Sequence, residues 1–568
     1  MLKKLLISLF LCATSALYAA NYLTFTAEED GSEFGIETTS DWVDPDIDTH
    51  WDNPDIKMQY SLNGGKSWTK LPTDTLIPLK RKGDKALLRG NNPQGFSDTT
   101  NMYTKFVMTG RIAASGSIMS LIGGNDKNLT IKGEKCFYRL FIDCTSLTKA
   151  PELPATQLAN SCYEEMFRGC TNLKQAPKLP AKTLAKNCYK GMFQECTSLT
   201  QAPELPATQL ANCCYEGMFW ECTSLTQAPQ LPATTLTDEC YAGMFGGCTS
   251  LTQAPQLPAK TLANSCYLGL FWECTSLTQA PELPATTLAK NCYQYMFSKC
   301  INLRQAPQLP AQTLTDECYS FMFNGCTSLT KAPELPATQL ANSCYEGMFG
   351  RCTSLTKAPE LPATQLANSC YEGMFGGCTS LTKVPELPAT QLANRCYGGM
   401  FGGCTSLTKA PELPAQTLTD ECYMAMFDSC TSLVQAPQLP ATQLTKDCYK
   451  MMFKECTSLT EAPELPAQTL TNGCYEGMFS GCSKLAEIKV GFTDWGEKYR
   501  SVSEEEEIDL SAVVDEIDVP VAVEEDEHWS TSNWLENVAP KGKFICPKKL
   551  PKEFGESRIP QGWKVIKN

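Results

Sequence analysis

Histidine is nearly absent. The chain has two in 568 residues, and none between Cys136 and Cys482, where most of its 31 cysteines lie. A Cys–His nucleophile therefore lacks its base over that span. The same cysteines follow one another after seven or seventeen intervening residues, with no C-x-x-C pair, so tetrahedral metal ligation has no clear ligand set either. Positive charge is also short: 48 Lys and Arg against 62 Asp and Glu leave a formal net charge of −14. Nucleic acid, whose phosphates require a basic face, is a poor partner for such a chain. Beyond the N-terminus no stretch offers the ~20 uninterrupted apolar residues of a membrane span. No cell-wall sorting motif follows Trp563.

What is present begins with "MLKKLLISLFLCATSALYAANYL", two lysines, an apolar run and small residues at Ala19 and Ala20. This is the layout of a secretory signal over residues 1–20, and it predicts a secreted or cell-surface protein. Cys12 follows Leu11 rather than a small residue, so it does not fit a lipoprotein signal.

Internal repetition dominates the rest. A cysteine recurs every 26 residues from Cys144 to Cys482, giving thirteen full repeats after a half repeat, "KCFYRLFIDC", that carries Cys136 and Cys144. With that cysteine as position 1, the repeat opening at Cys352 has apolar residues at Leu355 (4), Ala358 (7), Leu361 (10), Leu366 (15), Cys370 (19), Tyr371 (20), Met374 (23) and Phe375 (24). Positions 19, 20, 23, 24 and 27 are spaced like one face of a short helix, and "APELP" reads as extended. Asn or Asp at position 17 or 18 of each repeat, such as Asn160, Asp238 and Asn187, predicts an N-cap for that helix. The proline at position 8, Pro359 here, cannot donate to a strand ladder, so strands of two or three residues are expected.

"CTSLTKAPELPATQLANSCYEGMFGGC", Cys352 to Cys378, resembles the BspA-like leucine-rich repeat of bacterial surface proteins, whose unit reads C-x-x-L-x-x-I-x-L-P, an apolar pair, then A-F-x-x-C. Met-Phe replaces Ala-Phe here, and position 19 holds cysteine instead of a buried aliphatic. The resemblance implies an α/β solenoid of the leucine-rich-repeat horseshoe class, with short strands on the concave side, short helices on the convex side, and roles in adhesion or display. It implies no cofactor.

The two cysteines of one word, ~12 Å apart if the segment is helical, are too distant for a disulfide. Two readings remain: two ladders of small buried thiols, or bridges between rungs in an oxidising compartment. Cys213, beside Cys214, and Cys546 stand outside the pattern.

Two modules flank the array, which is placed at residues 125–482. Residues 21–124 read as a small all-β domain, rich in strand-like runs broken by Gly, Asn and Pro. Within it "SLNGGKSW", Ser61 to Trp68, is similar to the Asp-box of sialidases, a hairpin clasp and not an active site. "DPDIDTHWDNPD", Asp44 to Asp55, has the aspartates of a calcium loop but lacks its glycine at the sixth place and its glutamate at the twelfth, and reads as a solvated acidic loop. Residues 483–568 read as a capping segment in which "GKFICPKKLP" and "IPQGWKV" resemble the end strands of the same surface proteins, with an acidic insertion at 503–527.

For function, three classes stand. The first is a secreted or surface binding protein, adhesin-like, contacting host proteins, other cells or glycans. The second is a surface-layer or spacer protein without a specific ligand, and the third a periplasmic enzyme. No residue combination recurs with catalytic geometry, so no catalytic, cofactor or metal residue is assigned and the chain is read as non-enzymatic. The candidate interaction patch comes from where the repeats disagree. Positions 22 and 25, read as pointing outward, are mostly Gly or polar, yet carry Trp220, Trp272, Tyr295 and Phe321, with Leu268 beside Trp272.

Overall fold

The structure, a computed structural model, describes residues 21–40, 56–97, 102–123, 129–496, 498–500 and 527–568. The signal at 1–20, the loop Asp44 to Asp55 and nearly all of the acidic insertion lie outside the described residues. The chain falls into two compact units, Met1–Leu303 and Arg304–Asn568.

The first unit opens with eight strands: β1 (Leu23–Ala27), β2 (Ser32–Ser40), β3 (Met58–Ser61), β4 (Thr69–Lys70), β5 (Ile77–Leu79), β6 (Lys85–Gly90), β7 (Met102–Thr109) and β8 (Ile112–Ser115), then a 3-10 turn at Ile118–Leu121. They make two sheets, in the orders β4-β3-β6-β1-β8-β9 and β5-β2-β7. The ninth strand, β9 (Leu147–Lys149), belongs to the first repeat and pairs in parallel with β8. Alternation in β1 turns Leu23, Phe25 and Ala27 into the core, where the Phe25 ring meets Phe34, Phe106 and Phe141 edge-on at 5.0–6.2 Å between centroids. Phe141 is the position-24 residue of the half repeat, so the N-terminal sheets and the array share one core.

Each repeat then has an extended leg and a return leg. In the extended leg Leu355, Ala358, Leu361 and Ala363 are buried while Lys357, Glu360 and Pro362 are exposed. Prolines at positions 8 and 11 remove two donors, and parallel pairing shrinks to single bridges at positions 6 and 14, such as Lys357↔Lys383 and Gln365↔Gln391. The expected strands of two or three residues are thus reduced to one residue in most rungs.

The return leg corrects the sequence reading. No α-helix occupies positions 19 to 27 of any described repeat; the segment is a run of tight turns. Every fourth residue, Ser369 (φ 50°), Gly373 (58°) and Gly377 (74°), takes the left-handed conformation, which ends each helical turn before an i→i+4 bond forms. Hydrogen bonding alternates instead. Glu372, Met374, Gly376 and Cys378 donate to the carbonyl three residues back at 2.9–3.2 Å, whereas Ser369, Tyr371, Gly373, Phe375 and Gly377 donate to the next rung at 2.6–3.1 Å. Every amide of the leg is satisfied without a helix. Position 17 is not an N-cap either: Asp238 Oδ1 accepts from Asn264 N at 3.0 Å and Asn368 Oδ1 from Asn394 N at 3.2 Å, clamping successive rungs.

Inside each unit, position 20 forms a column of stacked tyrosines and position 24 a column of stacked phenylalanines, with centroids near those of Tyr345–Tyr371 (5.8 Å) and Phe349–Phe375 (5.7 Å). All thirty described cysteines are free thiols and all but Cys213 are buried. Their two columns differ. The position-1 thiols donate to the position-24 carbonyl of the preceding rung at 3.0–3.2 Å, as in Cys170–Phe141, Cys196–Phe167, Cys378–Phe349 and Cys404–Phe375. That carbonyl already accepts a backbone amide, so the thiol uses its second lone pair. Burial pushes these thiols up, Cys378 and Cys482 to about 12, which keeps them protonated.

In the second unit the array ends in β10 (Glu487–Lys489), β11 (Lys498–Arg500), β12 (Glu527–Trp529), β13 (Lys543–Cys546) and β14 (Lys564–Lys567). Strands β10, β13 and β14 are parallel neighbours, and β11 pairs antiparallel with β12 at the base of the acidic insertion. After β12, the amides of Tyr475, Gly477, Phe479 and Gly481 donate to the carbonyls of Ser530, Ser532, Trp534 and Glu536, so residues 530–536 form one more turn rung. Trp534, fully buried, covers Tyr475 with Trp495 beside it, and Trp563 is buried with its Nε1 donating to Ala539 O at 2.7 Å.

Candidate functional site

The aromatic residues at positions 22 and 25 fall on the turn leg, and in the first unit they converge. Trp220, Leu268, Trp272 and Tyr295 line one surface depression of about 590 Å³. The rung between the two tryptophans carries Gly243 and Gly246, and an ideal Cβ on Gly246 would lie 2.5 Å from the Trp220 ring. Without those side chains the indoles meet across two rungs, centroids 5.2 Å apart and planes 13° off parallel. Lys299 Nζ stands 4.9 Å over Trp272 and is tied to Glu273 at 2.6 Å. Tyr295 remains 36% exposed, the greatest exposure of the group.

Tyr295 is held at φ 56°, a place where the four preceding repeats use glycine, at a local cost of about 1–2 kcal/mol. Phe321 repeats the device in the second unit: φ is 54°, and its ring lies over Gly347 of the next rung. The polar rim went unread in the sequence. Gln194, Glu216 and Gln294 also line the depression, and their signal was the same outward register, at positions 25 and 21.

Glu216 links the depression to Cys213 and Glu239, whose ligand atoms all lie within 4.8 Å of one another. Glu216 is engaged by Lys190 at 2.9 Å. The Cys213 thiol bonds Glu239 Oε2 at 3.2 Å and is pushed up to about 12, first by burial, then by that bond and the two carboxylates. It therefore stays a thiol, a weak metal ligand and a weak nucleophile.

The extended leg offers smaller grooves of about 450–470 Å³ between neighbouring proline-containing segments, at 201–232 and 330–362. From Lys331 to Glu412, four successive rungs present exposed Lys at position 6 and Glu at position 9. The Asp-box-like stretch is the expected clasp: Ser61 Oγ lies 2.8 Å from Asn63 Oδ1, which accepts from Ser67 N at 3.0 Å, and Asn63 Nδ2 donates to Ser67 Oγ at 2.7 Å.

The BspA type Leucine rich repeat region family matches in six copies, over residues 130–278, 264–408 and 397–499. The chain belongs to this family, a class of surface and secreted bacterial repeat proteins. No curated protein matches it. Among solved structures it is similar to a leucine-rich repeat protein from Bacteroides ovatus, at 16% identity and a TM-score of 0.39, over 92% of this chain and all of the other. No helix among the described residues is long and apolar enough to cross a membrane.

Proposed function

We propose that this chain is an exported, adhesin-like binding protein that contacts host proteins, neighbouring cells or glycans, and that Trp220, Leu268, Trp272 and Tyr295 form its contact surface, with Phe321 as a second anchor. In this reading residues 1–20 direct export, 21–124 form a β-rich domain ahead of the array, and 483–568 cap it. The observation that carries the reading is the paired indoles lining an open apolar depression, beside a tyrosine kept exposed in a strained conformation that glycine would relieve. The fold does not call for an aromatic there, because position 22 holds glycine in eight repeats and Glu165, Ala425 or Met451 in three others. Aromatic anchors in a depression with a polar rim are the usual makeup of binding hot spots. A spacer role without a specific ligand is the second reading, and the near identity of the remaining rungs favours it.

The test replaces Trp272, Tyr295 and Phe321 together by serine and compares thermal unfolding, self-association and attachment to cells and matrix-protein arrays with the parent. Retained unfolding with lost attachment is the expected result. Lost folding would assign the side chains to the core, and unchanged attachment would leave the spacer reading.

A further inference from the structure

The outer face of the six-stranded sheet carries a site of different chemistry. Met58 on β3 and Ala86 and Leu88 on β6 point into the core. By strand alternation Lys57, Gln59, Arg89 and Asn91 point outward. Register sets Gln59 directly opposite both Lys70 on β4 and Arg89 on β6, so Lys70, Gln59 and Arg89 form one row across three strands. These residues line a depression of about 460 Å³ that has no Asp or Glu among the described residues of its wall. Among the described residues none of Lys57, Lys70 and Arg89 pairs with a carboxylate. In a chain of formal charge −14, three cations in one cavity with no carboxylate partner among the described residues are out of character.

The Arg89 guanidinium and the Lys57 backbone are also held in place. Arg89 Nε donates to Gln59 Oε1 at 2.9 Å, and its guanidinium carbon lies 4.1 Å from the centre of the Trp68 ring. Trp68 ends the Ser61–Asn63–Ser67 clasp and is braced by the Tyr22 ring at 5.0 Å. One edge and one face of the guanidinium are thus occupied, and its two terminal nitrogens keep their donors for a ligand. The Lys57 backbone is fixed by buried Asn92, which accepts from Lys57 N at 2.8 Å and donates to Lys57 O at 3.2 Å. Gly90 passes so close to Leu121 O that an ideal Cβ would lie 2.5 Å from it, which leaves the strand no slack.

We infer that this pocket binds a tetrahedral oxyanion, a sulfate or phosphate group. A fixed guanidinium fork, two ammonium groups and the amides of Gln59 and Asn91 supply donors around such a group, and its charge neutralises the cations. The clasp in "SLNGGKSW" then does more than close a hairpin, because it sets Trp68 and through it Arg89.

The test uses the full chain and calorimetry at low ionic strength with inorganic sulfate, inorganic phosphate, dextran sulfate and neutral dextran. Binding of an anionic probe and none of neutral dextran is expected. Binding of dextran sulfate alone would identify a polymer-borne sulfate, and binding of a free ion would identify which anion fits. Lys70→Gln with Arg89→Gln should weaken binding by about tenfold or more, the loss of one charge-assisted hydrogen bond. Lys57→Gln with Lys70→Gln leaves the Arg89–Trp68 contact intact and should weaken it too, so a misfolded Arg89 variant does not end the test. Lys178→Gln with Lys182→Gln, exposed lysines of a repeat, should change nothing. The inference is overturned if the parent binds no anionic probe, or if the repeat lysines matter as much as the pocket.

Discussion

In the repeat opening at Cys352, the turn leg and the extended leg are joined to the next rung in different ways. The turn leg sends five backbone hydrogen bonds across, whereas positions 5 to 14 are joined by three, clustered around Lys383. The turn leg also stacks a tyrosine, a phenylalanine and two thiols on their counterparts, all nearly inaccessible to solvent. The extended leg is interrupted by prolines and exposes Lys357 and Glu360. Cohesion therefore lives on the turn leg. The extended leg is free to vary its charge, and the turn leg can vary only where a side chain points out of the stack, at positions such as 21, 22 and 25.

The strongest way to break this contrast is Phe375→Ala. The side chain is fully buried between Phe349 and Phe401, so the change should cost about 3–5 kcal/mol. Because neighbours supply most of each rung's stability, hydrogen exchange should speed up first at rungs beside Phe375, and denaturant unfolding should lose cooperativity. Uniform protection across the second unit would show that the column is not what holds the rungs together.

A smaller effect separates the thiol from its volume. Cys404→Ala removes a buried sulfur that bonds Phe375 O at 3.2 Å and should cost about 1–2 kcal/mol. Cys404→Ser keeps a donor aimed at the same carbonyl and should cost less than alanine, read as the denaturant midpoint at unchanged slope. Equal losses would mean that the thiol acts by packing alone. On the other leg, Pro359→Ala restores an amide at a half-exposed position and should shift stability by less than about 1 kcal/mol in either direction. A loss as large as that of Phe375→Ala would erase the distinction between the legs.

The 26-residue register, the inward residues and the paired cysteine columns were legible because burial repeats with the sequence. The helix was misread for a physical reason. Positions 19, 20, 23, 24 and 27 follow a four-residue period, and a true helix drifts only about 80° over that length, within the width of one apolar stripe. The deciding signal was elsewhere: a glycine at position 22 or 26 in ten of the thirteen repeats, such as Gly191, Gly373 and Gly377, a residue that weakens a helix and accepts a positive φ. The outward register of Trp220, Trp272 and Tyr295 survived the error, since an outward residue at position 22 or 25 stays outward in either backbone. Their stacking was not legible, because it depends on Gly246 in the rung between. Nor was the row of Lys70, Gln59 and Arg89 on β4, β3 and β6, whose members lie up to 30 residues apart and meet only through strand register.

The finest test of how tightly the turn leg is closed uses its one solvent-accessible thiol. Cys213 sits at position 18, at φ 56°, outside both columns and half-buried. With its thiol pushed up to about 12, it should present about a thousandfold less thiolate at pH 8 than a free cysteine and react correspondingly slowly with iodoacetamide. Burial is the largest cause, and the neighbouring carboxylates add to it by favouring the neutral form. Glu239→Gln removes one of those charges, so the thiolate fraction should rise and alkylation of Cys213 should quicken several-fold, with a rate that climbs with pH. The column thiols, such as Cys196 and Cys222 on either side, should stay silent in parent and variant alike until the protein is unfolded. Mass spectrometry of peptides from a native labelling time course distinguishes the cases. Column thiols labelled as fast as Cys213 would mean that rungs open freely on the turn leg, and the contrast between the two legs would then fail where it is strongest.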